Sequence, residues 1–322
     1  MLAIVTSLLL LVQSTPAPVA PMVTEMDLAS GRPVVALMIN GEGPFPFIFD
    51  TGAGPLTLSS GLAEELGLTV TGQTTLDSPA GGEPVAVDQT RVESISLGGA
   101  GLSGMDALIV DFGPPGQLGA MGVIGPNAFR DYGRVAYDFA NHRIEIGGPL
   151  RHDGDARWID FSASAPLLEV PLTIGDVTVP AHIDTGNPSI MNFPEDRIGD
   201  LPLAGPLQVV GQARTIDRVM EIRGAPVEAD AQIGDAVIPL TDITSFPLPF
   251  ANIGSGALRG LYLEIDWQSE RVAISGSVRA AASCAGQPPR NSLTLAPGAR
   301  IHRARSRLPA VRGICDPQVK AS

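Results

Sequence analysis

The chain has 322 residues, of which 44% are hydrophobic and 17% charged, a composition that provides for two packed lobes and excludes disorder throughout. With 29 Pro, 37 Gly and 5% aromatic residues, the sequence favours many short strands and turns, and we predict an all-β fold. The net charge of −13 argues against a nucleic-acid partner, because phosphate backbones attract basic surfaces.

Residues 1–21 have the pattern of a signal peptide and a proline-rich leader. The apolar run over residues 2–12 is too short to span a bilayer, and small residues and prolines follow it. We therefore expect an exported protein, periplasmic or secreted, with no stable membrane span after processing. The segment that precedes the apolar run lacks Lys and Arg, so an N-terminal strand or an uncleaved anchor remains an alternative.

Residues 22–150 form the predicted N-terminal lobe, in which strands alternate with turns. An apolar strand runs into Asp50, Thr51 and Gly52, which places a carboxylate at the end of a buried element. One helix is expected, over residues 60–67. The predicted strands of this lobe are 34–39, 45–50, 68–75, 84–94, 106–110 and 135–146.

A connector over residues 151–165 leads to the predicted C-terminal lobe, residues 166–275. There a second apolar strand runs into Asp184, Thr185 and Gly186. The predicted strands of this lobe are 168–174, 177–184, 207–210 and 237–240. Residues 276–322 hold eight basic residues and one acidic residue, against 13 basic and 33 acidic residues in the rest of the chain, so we predict a disordered basic tail.

The two lobes repeat the same landmarks. Each Asp-Thr-Gly is followed, 70 to 75 residues later, by a short segment that ends in Ile-Gly, namely Val123-Ile124-Gly125 or Asn252-Ile253-Gly254. Residues 138–146 then align without a gap on residues 266–274. These landmarks recur at a spacing of about 130 residues, which indicates an internal duplication.

On these motifs the chain resembles the pepsin and retropepsin superfamily of aspartic proteases, in a bacterial form with two lobes in one polypeptide and a cleft between them. The resemblance covers roughly residues 24–276 and is stronger in the first lobe. It implies that Asp50 and Asp184 carry the chemistry. It further implies that the hydroxyls of Thr51 and Thr185 tie the two loops together and that the amides of Gly52 and Gly186 donate to the carboxylates. The segments that end at Gly125 and Gly254 would pack behind the loops.

Two carboxylates that share a cleft resist double ionisation and hold one proton between them, the pattern for which aspartic proteases are the standard example. One carboxylate then takes a proton from an attacking water while the other protonates the peptide carbonyl. We therefore expect an aspartic endopeptidase that acts on peptides or proteins without a metal or another cofactor, as a monomer. A catalytically inactive binding or scaffold protein of the same fold is the alternative, favoured by the more divergent second lobe.

The family closes a hairpin flap over its substrate, and the resemblance places that flap at a Pro-Gly-rich turn of the first lobe. An ordinary exposed turn is the alternative interpretation, because such turns are common. The turn lies between the strands 68–75 and 84–94, and its residues are Pro79, Ala80, Gly81 and Gly82. The equivalent hairpin of the second lobe is expected over residues 212–219.

The residue after each Asp-Thr-Gly bears on pH dependence. In pepsin-like enzymes a Ser or Thr there can donate a hydrogen bond to the ionised carboxylate, whereas Ala53 cannot, and only the side-chain amide of Asn187 offers a donor in the second lobe. We expect the pair to hold its proton to a higher pH, with a mildly acidic to near-neutral optimum.

The remaining polar residues give weaker signals. Cys284 and Cys315 lie in the tail, where they offer a disulfide in an oxidising compartment. The four His lack ligand spacing, which gives no support for zinc. An actin-like or sugar-kinase phosphotransferase, whose phosphate loops also begin Asp-x-Gly, is a rival class, and the missing helices between strands count against it.

Overall fold

The computed structural model describes residues 20–276, apart from 77–83, 114–117, 153–154, 165–166, 215–218 and 247–248. The residues that the structure describes all fall within one compact unit. The predicted signal segment, the turn with Pro79, Ala80, Gly81 and Gly82, the basic tail and both cysteines lie outside the described residues. Within the described part, no helix is long and apolar enough to cross a bilayer.

The described residues form an all-β structure of 22 strands, as predicted. Short helical segments are α1 (Ser60–Glu65) and two 3-10 turns, Pro126–Tyr132 and Ile198–Asp200. The strands before the connector are β1 (Met22–Glu25), β2 (Val34–Ile39), β3 (Glu42–Phe49), β4 (Leu56–Ser59), β5 (Gly72–Leu76), β6 (Val85–Leu97), β7 (Ala100–Val110), β8 (Gly122–Ile124), β9 (Arg134–Asp138) and β10 (Arg143–Ile146). The later strands are β11 (Ile159–Asp160), β12 (Glu169–Ile174), β13 (Val177–Asp184), β14 (Met191–Pro194), β15 (Gln208–Arg214), β16 (Val219–Pro226), β17 (Ala231–Ile233), β18 (Ala236–Ile238), β19 (Asp242–Phe246), β20 (Ala251–Gly254), β21 (Tyr262–Asp266) and β22 (Arg271–Ser275).

The two lobes have the same central sheet. In the first lobe the order β2-β3-β8-β4-β7 is continued by β6 and β5, and a pairing of β2 with β6 closes the sheet on itself. In the second lobe the corresponding order is β12-β13-β20-β14-β19, with β16 and β15 beyond it. In both, the strand that leads to the Asp runs parallel to the strand that leads to Gly125 or Gly254. The duplication read from the sequence is therefore a duplication of sheet topology.

A third sheet joins the lobes. Its order is β1-β10-β9-β21-β22-β11, so three strands of the first half and three later strands lie side by side in one six-stranded layer. At its centre β9 pairs with β21 antiparallel, from Arg134 opposite Asp266 to Asp138 opposite Tyr262. This layer makes the two lobes one folding unit, because its backbone hydrogen bonds cross from one half to the other.

Alternating burial follows from the sequence of the strands that lead to the carboxylates. In β13 the side chains of Val179, Ala181 and Ile183 are buried, while their neighbours are partly or fully exposed, which is the pattern of a strand with one covered face. In β3 the last three residues are all buried, and Phe47 and Phe49 lie within the core. Both strands therefore end rigidly at the point where the Asp follows.

The structure corrects several predicted elements. The predicted single strand 135–146 is a hairpin of β9 and β10, because Asn141 and His142 form a turn in which His142 has a φ of 54°. The predicted connector contains β11, which pairs with β22 at the edge of the interlobe sheet. The short strands β4 and β14 were missed, because four residues give too little periodicity to be recognised.

Candidate active site

Each candidate catalytic Asp lies at the end of a strand: Asp50 directly follows β3, and Asp184 is the last residue of β13. The Asp50 amide donates to the carbonyl of Ile124 at 2.9 Å, and Asp184 lies opposite Gly254 in the parallel register of β13 and β20. A Cβ added at Gly254 would lie 2.1 Å from the Ser189 carbonyl oxygen. The glycine of this segment is thus required because the loop that follows Asp184 passes directly over it.

The two Asp-Thr-Gly loops are tied by their threonines, as the resemblance implies. The Thr51 hydroxyl donates to the Ile183 carbonyl at 2.6 Å and accepts from the Thr185 amide at 3.0 Å. The Thr185 hydroxyl in turn donates to the Phe49 carbonyl at 2.9 Å and accepts from the Thr51 amide at 3.0 Å. Both threonines are buried, so these four bonds are shielded from water and hold the loops in fixed relation.

The two glycines bring backbone amides to one carboxylate. The amides of Gly52 and Gly186 each donate to Oδ1 of Asp50 at 2.8 Å. A Cβ at Gly186 would approach Oδ2 of Asp50 to 2.4 Å, and one at Gly52 would lie 3.0 Å from Oδ1 of Asp184. Each glycine therefore allows its loop to approach the carboxylate of the opposite lobe.

Asp184 receives its hydrogen bonds from different groups. The backbone amide of Asn187 donates to Oδ1 of Asp184 at 3.1 Å, and Nδ2 of Asn252 donates to Oδ2 of Asp184 at 2.8 Å. The expectation that the Asn187 side chain is the donor was wrong, because that side chain turns away and donates to Asn192 at 2.6 Å and to Asn252 at 3.1 Å. Sequence reasoning missed Asn252, although a polar residue aligned on Val123 in a buried strand was a usable signal.

The pKa of Asp50 is raised. Burial raises the pKa of Asp50 to about 7, aided by the nearby charge of Asp184 and a hydrogen bond between the two side chains, and opposed by the amides of Gly52 and Gly186. The main causes of this shift are burial and the second carboxylate. They are distinct from the missing hydroxyl at Ala53, whose effect on the pH optimum stays a prediction.

Arg32 adds a positive charge beside the pair. It precedes β2, and its Nε donates to the Gly186 carbonyl at 2.7 Å across the interface between lobes. The next residue back, Gly31, accepts a hydrogen bond from the Ser255 hydroxyl of the second lobe. Burial lowers the pKa of Arg32, while the charges of Asp50 and Asp184 counteract that shift. Arg32 therefore both ties the lobes and interacts electrostatically with the two carboxylates.

Other titratable groups near the pair are occupied by structural contacts. His182 lies 3.4 Å from a Glu169 carboxylate oxygen and packs on Phe250, and burial lowers its pKa. Burial raises the pKa of Tyr137 well above its ordinary value, with a contribution from Asp50. No cluster of three potential metal ligands occurs among the residues that the structure describes.

The all-β fold with a closed barrel is that of an aspartic protease-like protein. Residues 35–128 match the family described as Aspartyl protease, a retropepsin-like group. This segment contains Asp50, Thr51 and Gly52 and ends just beyond Gly125. The resemblance read from the sequence is thereby confirmed, and an aspartic protease-like function is supported. No curated protein matches the chain.

Proposed function

We propose that this chain is an aspartic endopeptidase in which Asp50 and Asp184 share one proton. The observation that carries the proposal is that the two carboxylates meet from pseudo-symmetric lobes, since a Cβ at Gly52 would lie 3.3 Å from Oδ1 of Asp50 and 3.0 Å from Oδ1 of Asp184. Their loops are joined by the buried bonds of Thr51 and Thr185. A pair that is half protonated supplies a base and an acid to the same peptide bond. The intact pair and loops give no support to the inactive scaffold alternative.

A digest of a mixed peptide library by the mature chain tests this proposal. Asp50→Asn and Asp184→Asn should each abolish cleavage and leave the fold intact, because either change removes half of the shared-proton pair. Asp106→Asn is the matched control, since Asp106 is 81% exposed in a surface pair with Arg91. Full activity in either dyad variant would contradict the proposed function.

We further propose that the substrate binds in extended form between the lobes. The strands β5 and β6 pair antiparallel as far as Leu76 and Val85, on either side of the predicted turn with Pro79, Ala80, Gly81 and Gly82, and a peptide can add to such a strand pair as a further strand. Hydrogen exchange with a bound peptide-like inhibitor should show protection over residues 77–84. Unchanged exchange there would contradict this role for the turn.

Export and a monomeric state belong to the same proposal. The apolar segment 2–12 supports passage to the periplasm or outside the cell. Cell fractionation together with N-terminal sequencing of the recovered chain tests export, and light scattering tests the monomer. Recovery of uncleaved chain from the cytoplasm would overturn the expectation of export.

A further inference from the structure

The second lobe contains a network of side-chain amides behind Asp184, which we call the amide network: Asn252, Asn187, Asn192 and Thr244. Asn252 donates to Asp184 and accepts from Asn187; Asn187 also donates to Asn192, and Asn192 donates to the Thr244 hydroxyl at 2.7 Å. Asn252 and Asn192 are 4% and 7% exposed. Buried amides are costly unless they are paired, so a fully paired network of this kind has a definite orientation.

Backbone groups at both ends fix that orientation. The Ser189 amide donates to Oδ1 of Asn187 at 3.0 Å, which forces Nδ2 of Asn187 toward Asn192 and Asn252. At the other end the Thr244 hydroxyl donates to the Met191 carbonyl at 2.8 Å, so it can only accept from Asn192. Backbone amides and carbonyls cannot exchange roles. Asn252 must therefore present its N–H, and never its oxygen, to Asp184.

The first lobe has no counterpart of this network at the matching positions. In the second lobe Asn192 of β14 pairs with Asn252 of β20, and in the first lobe Thr57 of β4 pairs with Val123 of β8. Val123 and Thr57 are therefore the first-lobe equivalents of Asn252 and Asn192. The parallel pairings place Thr244 where the first lobe has Leu108. Asn187 corresponds to Ala53, and the Thr57 hydroxyl donates to the Pro55 carbonyl. The duplicated sheet is thus symmetric in topology and asymmetric in the polarity behind its two carboxylates.

The donors on the two carboxylates differ accordingly. Asp184 receives one donor on each oxygen, an arrangement that suits a charged carboxylate. The two amides at Asp50 share Oδ1, so Oδ2 receives neither of them. Oδ2 therefore remains available to carry a proton, which burial favours on Asp50.

We infer that Asn252, a positioning residue, divides the roles within the pair: Asp184 holds the negative charge and acts as the base, and Asp50 holds the proton and acts as the acid. This inference rests on the proposed function for its chemistry. The water oxygen bonds to the peptide carbon while a water proton passes to Asp184 and the Asp50 proton passes to the carbonyl oxygen. When the C–N bond breaks, the nitrogen takes the proton from Asp184 and one hydroxyl of the diol returns its proton to Asp50, which restores the starting state.

The test compares Asn252→Val, which installs the residue found at the equivalent position of the first lobe, with Asn127→Val as the matched control. Asn127 lies near the other active-site loop and donates to the Gly54 carbonyl at 3.1 Å without a bond to either carboxylate. Loss of the donor disfavours the singly charged pair, so the acidic limb of the kcat/KM profile should move up by about one pH unit in Asn252→Val. The control should keep the wild-type limb. The titratable groups that interact with the pair, Arg32, Tyr137 and His182, are retained in both variants.

Carboxyl ¹³C NMR of labelled Asp provides a second readout that needs no substrate. With resonances assigned from Asp50→Asn and Asp184→Asn, wild-type protein at about pH 5.5 should show Asp184 ionised and Asp50 protonated. The reverse assignment, or an unmoved acidic limb in a folded Asn252→Val protein, would overturn the inference. If Asn252→Val does not fold, the wild-type spectrum alone decides. If Asp184 is ionised and Asp50 protonated but no peptide is cleaved, the proposed function is refuted and the charge assignment stands. If peptides are cleaved while Asp50 is ionised and Asp184 protonated, the proposed function stands and the inference is refuted.

Discussion

At the scale of single residues, Gly186 makes the closest approach to the catalytic pair proposed here. Its φ is ordinary, so the requirement for glycine is purely steric: a Cβ would lie 2.4 Å from Oδ2 of Asp50. Gly186→Ala should therefore displace the carboxylate and lower kcat by about 100-fold or more, because a shift of 1 Å is costly at a reacting centre. Gly199→Ala, at a position with open space around it, should retain wild-type kcat. Comparable kcat in the two variants would show that the loop relaxes freely.

The pKa of Asp50 predicts the upper limit of the active pH range. Since the pair needs one proton, and Asp50 loses its proton near pH 7, kcat/KM should fall as the pH rises through about 7. A pH-rate profile with a peptide substrate measures this limb. A rate that is still rising at pH 9 would contradict it.

The same residue predicts a link between pH and stability. Because the folded-state pKa of Asp50 is raised, from 3.8 to about 7, its contribution to stability is fully present below about pH 4 and is lost as the pH rises through about 7. Asp50→Asn removes this loss, so the variant should melt a few °C above the wild type at pH 8 and close to it at pH 4. Thermal unfolding followed by circular dichroism at both values measures the difference. A lower Tm for the variant at pH 8 would contradict burial as the main cause of the shift.

At the scale of elements, the loops after β3 and β13 depend on the threonine bonds. Thr51→Val leaves the Ile183 carbonyl and the Thr185 amide without their partner, which should cost about 2–4 kcal/mol of unfolding free energy. Thr51→Ser retains the hydroxyl and should cost much less. Urea unfolding of the single variants and of Thr51→Val with Thr185→Val should give a less than additive double effect, since the loops separate once either side is lost. Strictly additive effects would mean that the two threonines act independently.

At the scale of the whole molecule, a buried charge cluster holds the interlobe sheet. Arg134 forms ion pairs with Glu145 and Glu264, and Glu264 also accepts from the backbone and ring nitrogen of His152 at the start of the predicted connector. Burial alone would raise the pKa of Glu264, but hydrogen bonds from His152, Arg134 and two backbone amides lower it to about 2. The cluster thus joins β9, β21 and the connector, which come from three different parts of the chain.

This cluster predicts acid sensitivity. A lowered folded-state pKa means that the contribution of Glu264 is present above its ordinary value of 4.5 and is lost as the pH falls through about 2. Glu264→Gln should destabilise the protein by about 3–5 kcal/mol at pH 7, because it leaves Arg134 buried with one counter-charge fewer. The free energy of unfolding of this variant should also decrease less steeply than that of the wild type as the pH falls. Asp106→Asn, in an exposed pair, should change neither quantity. Equal urea midpoints for wild type and Glu264→Gln would refute a structural role for the cluster.

The sequence by itself determined the duplicated strands that end at Asp50 and Asp184, the threonines and glycines that follow them, and the segments at Gly125 and Gly254. These features are local, and each is repeated at a similar spacing, so one copy supports the other. The tertiary structure decided which groups meet at the carboxylates. Asn252 lies 68 residues from Asp184, and Arg32 lies 154 residues from Gly186. The interlobe sheet likewise pairs β9 with β21 from separate halves. Such contacts depend on how the two sheets pack and on which face each strand presents, and no local periodicity encodes either.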